Sequence, residues 1–265
     1  MKKIVAVVLV LVLLLLTGCQ SAGQTTEKPE AIESPIPELE FGMTISQVKA
    51  ALPDGCVLEE FATGHTTTLG LTAYPNKVYG CEFKVADLMF DQPYRYRGVE
   101  SEPILVQIKL QLVSEDYDAV VKQVTNRLGE VTETLETYDP MALGHMKRVP
   151  SSMWSGIGDG IEAYDVSVQA IAAALSGQYF PITMKEGITE FRTDNIYSLE
   201  QVEEFGTLHF DGTAMERFRE WEDYEVYKCG YFVVSDCTDS GVVHVSSYAG
   251  LPAYAELAQR CLEAE

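Results

Sequence analysis

The sequence predicts an α+β protein in which helices pack on one face of an antiparallel sheet, with a mostly helical insertion in the second half of the chain. Three observations carry this expectation. Hydrophobic residues make up 46% of the 265 positions, enough for a sizeable core. Apolar and polar residues alternate between 66 and 113 and again between 224 and 248, the period of half-buried strands. Between these stretches Tyr117, Val120, Val121, Val124 and Leu128 repeat at helical offsets, giving an apolar stripe wide enough to cover a sheet.

In chain order the first element is an address. Lys2 and Lys3 precede an apolar run of 13 residues, Ile4 to Leu16, which ends in Leu16-Thr17-Gly18-Cys19. A spanning helix needs about 20 apolar residues, so this run is too short to cross a bilayer, and it stops at small residues as a cleavage site does. It resembles a bacterial lipoprotein signal peptide. The resemblance implies removal of residues 1–18, a diacylglyceryl group on Cys19 with palmitate-type chains, and a mature protein anchored on the extracytoplasmic face of the cell membrane. Each buried methylene contributes about 0.8 kcal/mol, so two or three chains hold a soluble domain at the surface.

Residues 19–37 read as a flexible tether, rich in Gln, Thr, Glu and Ser and carrying Pro29, Pro35 and Pro37. The globular part is expected over 38–265. Thr44 and Gln47 form a capping box, and Ile45, Val48 and Leu52 share one face, so a short helix is expected over about 44–52. Strand sequence follows at 66–74, 78–90 and 104–113, with Asp91 to Pro103 as a long hairpin loop. Ser114 is placed to cap the helix that begins at Tyr117, and Gly129 stops it.

Residues 138–211 read as the helical insertion. They hold a glycine-rich turn from Ser155 to Gly160, a helix over 166–175, and a short helix after the Ser198 and Gln201 capping box. Thr213 and Glu216 open a further helix carrying Met215, Phe218 and Trp221. The chain returns to strands at 224–235 and 242–248, joined by a turn through Cys237 to Gly241, and closes with a helix over 253–262.

The segment Phe41-Gly42-Met43-Thr44 through Val48 resembles the opening helix motif of small bacterial lipoproteins of the BamE-like (SmpA/OmlA) and beta-lactamase-inhibitor-protein-like fold. In such proteins the motif precedes strands, a helix like Tyr117–Leu128, a tryptophan and a last hairpin ending in Ser-Tyr. Trp221 and Val242 to Ser247-Tyr248 would fill the last two places, and the resemblance covers 38–135 and 216–250. It implies a role in envelope assembly or interaction.

Charge narrows the partners. The formal charge is −21, and removing residues 1–18 takes away Lys2 and Lys3 but no acid, giving −23. Such a surface repels nucleic acid and anionic head groups, so no nucleic-acid partner is expected and the lipid does the anchoring. Beyond Cys19 five cysteines remain, an odd number, in a compartment that allows disulfides. Cys56 with Cys81 and Cys229 with Cys261 are the candidate pairs. None shows C-x-x-C spacing or a neighbouring histidine, so neither a metal nor another cofactor is expected.

Catalytic motifs are weak. The four histidines, His65, His145, His209 and His244, are isolated, and His244 lies in a strand where its alternation with Val243 and Val245 predicts a solvent-facing ring. Ser155 to Gly160 lacks a Walker lysine and carries an acid, so it reads as a turn rather than a phosphate loop. The most distinctive surface candidate is Tyr94-Arg95-Tyr96-Arg97, residue types enriched at binding hot spots within an acidic chain. A hairpin end whose arginines pair with local acids is the alternative. The function expected is non-catalytic binding of an envelope protein or ligand. A cell-envelope hydrolase working through carboxylates and an envelope assembly scaffold are the alternatives.

Overall fold

A computed structural model describes residues 32–63, 66–91, 94–96, 99–139, 147–176 and 224–263. The protein is α+β, built on an eight-stranded antiparallel sheet. Cys19, Arg97, the expected helices after Ser198 and Thr213, Trp221, and His65, His145 and His209 lie outside the described residues.

The first described segment, 32–41, corrects the expected tether. Ile32, Ile36 and Leu39 are buried in the main core. The Ser34 hydroxyl accepts from the Ile36 amide and donates to the Ile36 carbonyl, which fixes a local turn in spite of the flanking prolines. This strap then runs beside the central sheet, with the Gly42 amide donating to the Leu105 carbonyl at 2.8 Å. Helix α1, Ile45–Ala51, starts at the expected capping box, in which Thr44 accepts from the Gln47 amide and Gln47 accepts from the Thr44 amide. Val48 joins the core.

Strands β1 (Val57–Thr63), β2 (Thr66–Thr72) and β3 (Glu82–Phe90) form a meander. The expected loop 91–103 holds a separate small ladder, β4 (Tyr94–Tyr96) with β5 (Val99–Ser101). Strand β6 (Leu105–Val113) pairs with β3 and buries Ile108, Leu110 and Leu112 on one face. Helix α2, Tyr117–Leu128, lies over that face and buries Val120 and Val124, each contributing about 1.5–3 kcal/mol. Its N-cap is Asp116, which accepts from the Ala119 amide, and not Ser114, whose hydroxyl instead accepts from the Asp116 amide. A carboxylate directly before the first helical residue reaches the unpaired amides; a serine two residues earlier does not.

From α2 the chain reaches the far edge of the sheet, where β7 (Glu133–Tyr138), β8 (Arg148–Ser155), β9 (Tyr231–Cys237) and β10 (Val242–Tyr248) follow, and the order becomes β1-β2-β3-β6-β10-β9-β8-β7. Strands β7 (Glu133–Tyr138) and β8 (Arg148–Ser155) were not expected, and β8 lies inside the segment read as a helical insertion. That segment therefore supplies part of the main sheet. Pro150 fits within β8 because pairing with β9 spans only Ser151 to Ser155, so its missing N–H falls where β8 has one neighbour.

Helix α3, Val166–Leu175, matches the expected bounds. The expected strand at 224–235 is divided: Tyr224–Cys229 is helix α4, and β9 is Tyr231–Cys237. Gly230 marks the break, with φ +79° and its amide donating to the Val226 carbonyl. A turn at Thr238–Ser240, closed by Gly241 and held by Asp236 accepting from the Thr238 amide, leads to β10, Val242–Tyr248. A short 3₁₀ turn, Leu251–Tyr254, then opens helix α5, Ala255–Glu263.

Two cores result. The larger joins the inner face of the sheet to α1, α2 and the strap, with Trp154 edge-on to Phe232 at 6.1 Å. The second lies beyond the ends of β6 and β10, where α3, α5 and the 251–254 turn pack round Ile104, Ala249 and Ile161. The helices thus divide between the sheet face and the sheet end.

Candidate functional site

A cleft of about 870 Å³ opens where the two cores meet. One wall is the strap, through Ile32, Glu33, Leu39, Glu40 and Phe41; the C-terminal end of α2 supplies Arg127, Leu128 and Gly129; and Ile157, Tyr164 and Ala253 close it. Local sequence explains each wall. Gly129 ends α2 at φ +88°, so its carbonyl leaves the helix and accepts the Trp154 indole N–H at 2.9 Å. Phe41 packs against both cores and so lies at their junction. The glycine-rich turn is a packed wall: Gly160, at φ +54°, lies so close to the end of α4 that a Cβ there would meet the Lys228 carbonyl oxygen at 2.3 Å.

The electrostatics of the rim centre on Arg127. Its guanidinium donates to Glu33 at 2.6 Å, which ties the strap to α2, and it also lies over the Tyr79 ring at 5.6 Å from the centroid. Burial, partly offset by Arg127, pushes the Tyr79 phenol up to about 12. Burial also raises the Tyr164 phenol, with Glu256 adding to the effect. Both phenols therefore stay protonated at neutral pH; of the two only Tyr164 lines the cleft, with Phe41, Glu33, Glu40 and Arg127 among its other described lining residues. Such a lining, with polar and apolar surface in nearly equal share, can hold a ligand non-covalently.

The residues expected to act are placed elsewhere. Tyr94, Arg95 and Tyr96 form β4, where Arg95 stands opposite Glu100 in the register of the small ladder. The neighbouring β5 contacts α5, so this hairpin sits by the second core. Neither expected disulfide is formed; all five described cysteines are thiols. The Cys81 thiol is turned to the Tyr79 carbonyl, and that of Cys229 to the Gly158 carbonyl. Cys56 follows α1, and Cys261 is buried in α5. Cys237 donates to Asp139, and burial with that carboxylate pushes it up to about 12, an unreactive thiol.

His244 corrects a further expectation. It is half-buried rather than solvent-facing, and burial, aided by Lys109, pushes its pKa down to about 4. It belongs to the second face of the sheet, in register with Gln111 and Ser235. Among the described residues, no group of three or more His, Cys, Asp or Glu is gathered as a metal site would need, and no helix is long and apolar enough to cross a membrane.

The cleft was not anticipated from sequence. Its signal was the spacing of Ile32, Ile36 and Leu39, apolar residues three or four apart inside a proline-rich stretch. Compared with protein-family models, with curated proteins and with solved structures, the chain matches none of them.

Proposed function

We propose that this is a lipid-anchored, extracytoplasmic binding protein that works by holding a ligand in the cleft between its two cores, without catalysing a reaction. The observation that carries the reading is the cleft itself: its volume of about 870 Å³ lies within the range of small-molecule sites, and its walls set Leu39, Phe41 and Tyr164 beside a comparable share of polar surface. The apolar run ending in Leu16-Thr17-Gly18-Cys19 supports the anchor. Only 12 residues, 20–31, separate Cys19 from the strap, so the reach of the chain keeps the cleft within about 45 Å of an anchor at Cys19.

The test compares the full chain with Cys19→Ala in intact cells, by alkyne-palmitate labelling, fractionation, and cross-linking with mass spectrometry. The wild type should carry label, sediment with membranes and capture envelope components. The variant should lose the label and those captures. Label and fractionation that are the same in both would refute the anchor, and identical captures would refute a membrane-bound binding role.

A further inference from the structure

We propose that the outer edge of β1 takes an extended, basic peptide segment as a further strand of the sheet, one that carries a lysine or arginine between two apolar side chains. β1 ends the strand order, so one side of its backbone has no strand partner among the described residues. It also lacks the devices that usually block such an edge. Its seven residues, Val57–Thr63, include no proline and no lysine, and they pair with β2 residue for residue without a bulge. The opposite edge differs: beside β7 the Arg148 guanidinium lies over the Tyr138 ring at 5.4 Å, which places a cation there. Adding a strand to an open edge draws affinity from main-chain hydrogen bonds and specificity from alternate side chains.

The side chains of β1 state what that strand must carry. Glu59 stands in register with Gly70, Asp87 and Lys109, on the sheet face opposite the buried Ile108 and Leu110, and alternation puts Val57 and Phe61 beside it. Val57 and Phe61 are 47% and 49% exposed. The Phe61 ring is nonetheless held in place: a Cβ on Gly70 would meet its Cε2 at 2.9 Å, so the ring lies across the glycine as a ready platform. Glu59 is exposed and has no ion pair or hydrogen bond among the described residues, and Lys109 in its row stands directly opposite Asp87. Glu60 points to the other face, where Lys49 approaches it at 3.9 Å. Glu59 is thus the unanswered charge between two apolar side chains, and the formal charge of −21 attracts a basic segment at longer range. A second copy of the chain is the poorer occupant. Twofold antiparallel pairing of two β1 strands over their full length sets Glu60 directly against Glu60, and like charges so placed are destabilising.

The experiment is fluorescence anisotropy of labelled, capped heptapeptides with the full chain in non-ionic detergent. The probe has threonine at its odd positions and valine, lysine and valine at its even ones; its control has glutamate in place of the lysine. The lysine peptide should bind at least about threefold more tightly than the glutamate peptide. Glu59→Lys should reverse that preference with the melting temperature unchanged, since the side chain is exposed. Two further probes carry methylated backbone amides, one at the threonines and the other at the valines and lysine. Only alternate amides of an added strand face β1, so one of the two should lose binding and the other keep it. No binding, equal binding of the lysine and glutamate peptides, a preference that Glu59→Lys leaves unmoved, or equal effects of the two methylations each overturn the proposal. A chain that sediments as a dimer and binds no peptide assigns the edge to a second copy and overturns it as well.

Discussion

His244 carries the clearest consequence at the scale of one residue. Its folded pKa lies at about 4 against an ordinary 6.5, so the fold favours the neutral ring. The stabilisation is fully present above pH 6.5 and is lost progressively as pH falls from 6.5 to 4, because the unfolded chain binds a proton that the folded one refuses; it is on the order of 3 kcal/mol. His244→Gln should therefore flatten the fall in melting temperature between pH 7 and pH 4.5 relative to wild type. Equal slopes would show that the ring is not held neutral. The alternation of Val243, His244 and Val245 was legible in the sequence, and both valines are buried. What it did not carry was the crowding of the other face, where Gln107, Tyr231 and Ser246 hydrogen-bond across three strands. Period-2 patterning separates the two faces of a strand but does not say whether the second meets water.

At the scale of elements, legibility followed local determinants. Helices α1 and α3 stood out, the first by its reciprocal cap, and α2 by its stripe; short-range hydrogen bonds and periodicity write such features into consecutive residues. Strands β7 and β8 were hidden because Glu133 and Glu136 break the apolar alternation at a sheet edge and Pro150 argues against a strand. Helix α4 was hidden because Tyr224 to Cys229 has the composition of the strand that follows, and only Gly230 divides them. The strap was hidden by its prolines, which suggest a tether, although Ile36 is fully buried. Ile36→Ala should cost about 2–4 kcal/mol in urea denaturation, as a buried aliphatic truncation does. A loss below about 0.5 kcal/mol would show that the strap is not part of the folded unit.

At the scale of the whole molecule, the sheet links the two halves of the chain through β6 and β10, and the cleft forms where the second core abuts the first. Fold class was legible from composition and periodicity, because both report how much surface must be buried and by which elements. The cleft was not, since its walls come from residues as far apart as Glu33, Arg127, Tyr164 and Ala253, which only the tertiary fold brings together. On the proposed function, the acid excess, the anchor and the cleft belong to one device, a binding site carried close to a membrane. Native mass spectrometry of the full chain, extracted from cells in mild detergent, tests this most directly, with Ile157→Trp as the comparison because Ile157 lines the cleft and is only partly buried in the core. A small molecule bound one to one in the wild type and lost in the variant is the predicted result; each protein at its own unliganded mass, or an adduct that survives the substitution, would contradict it.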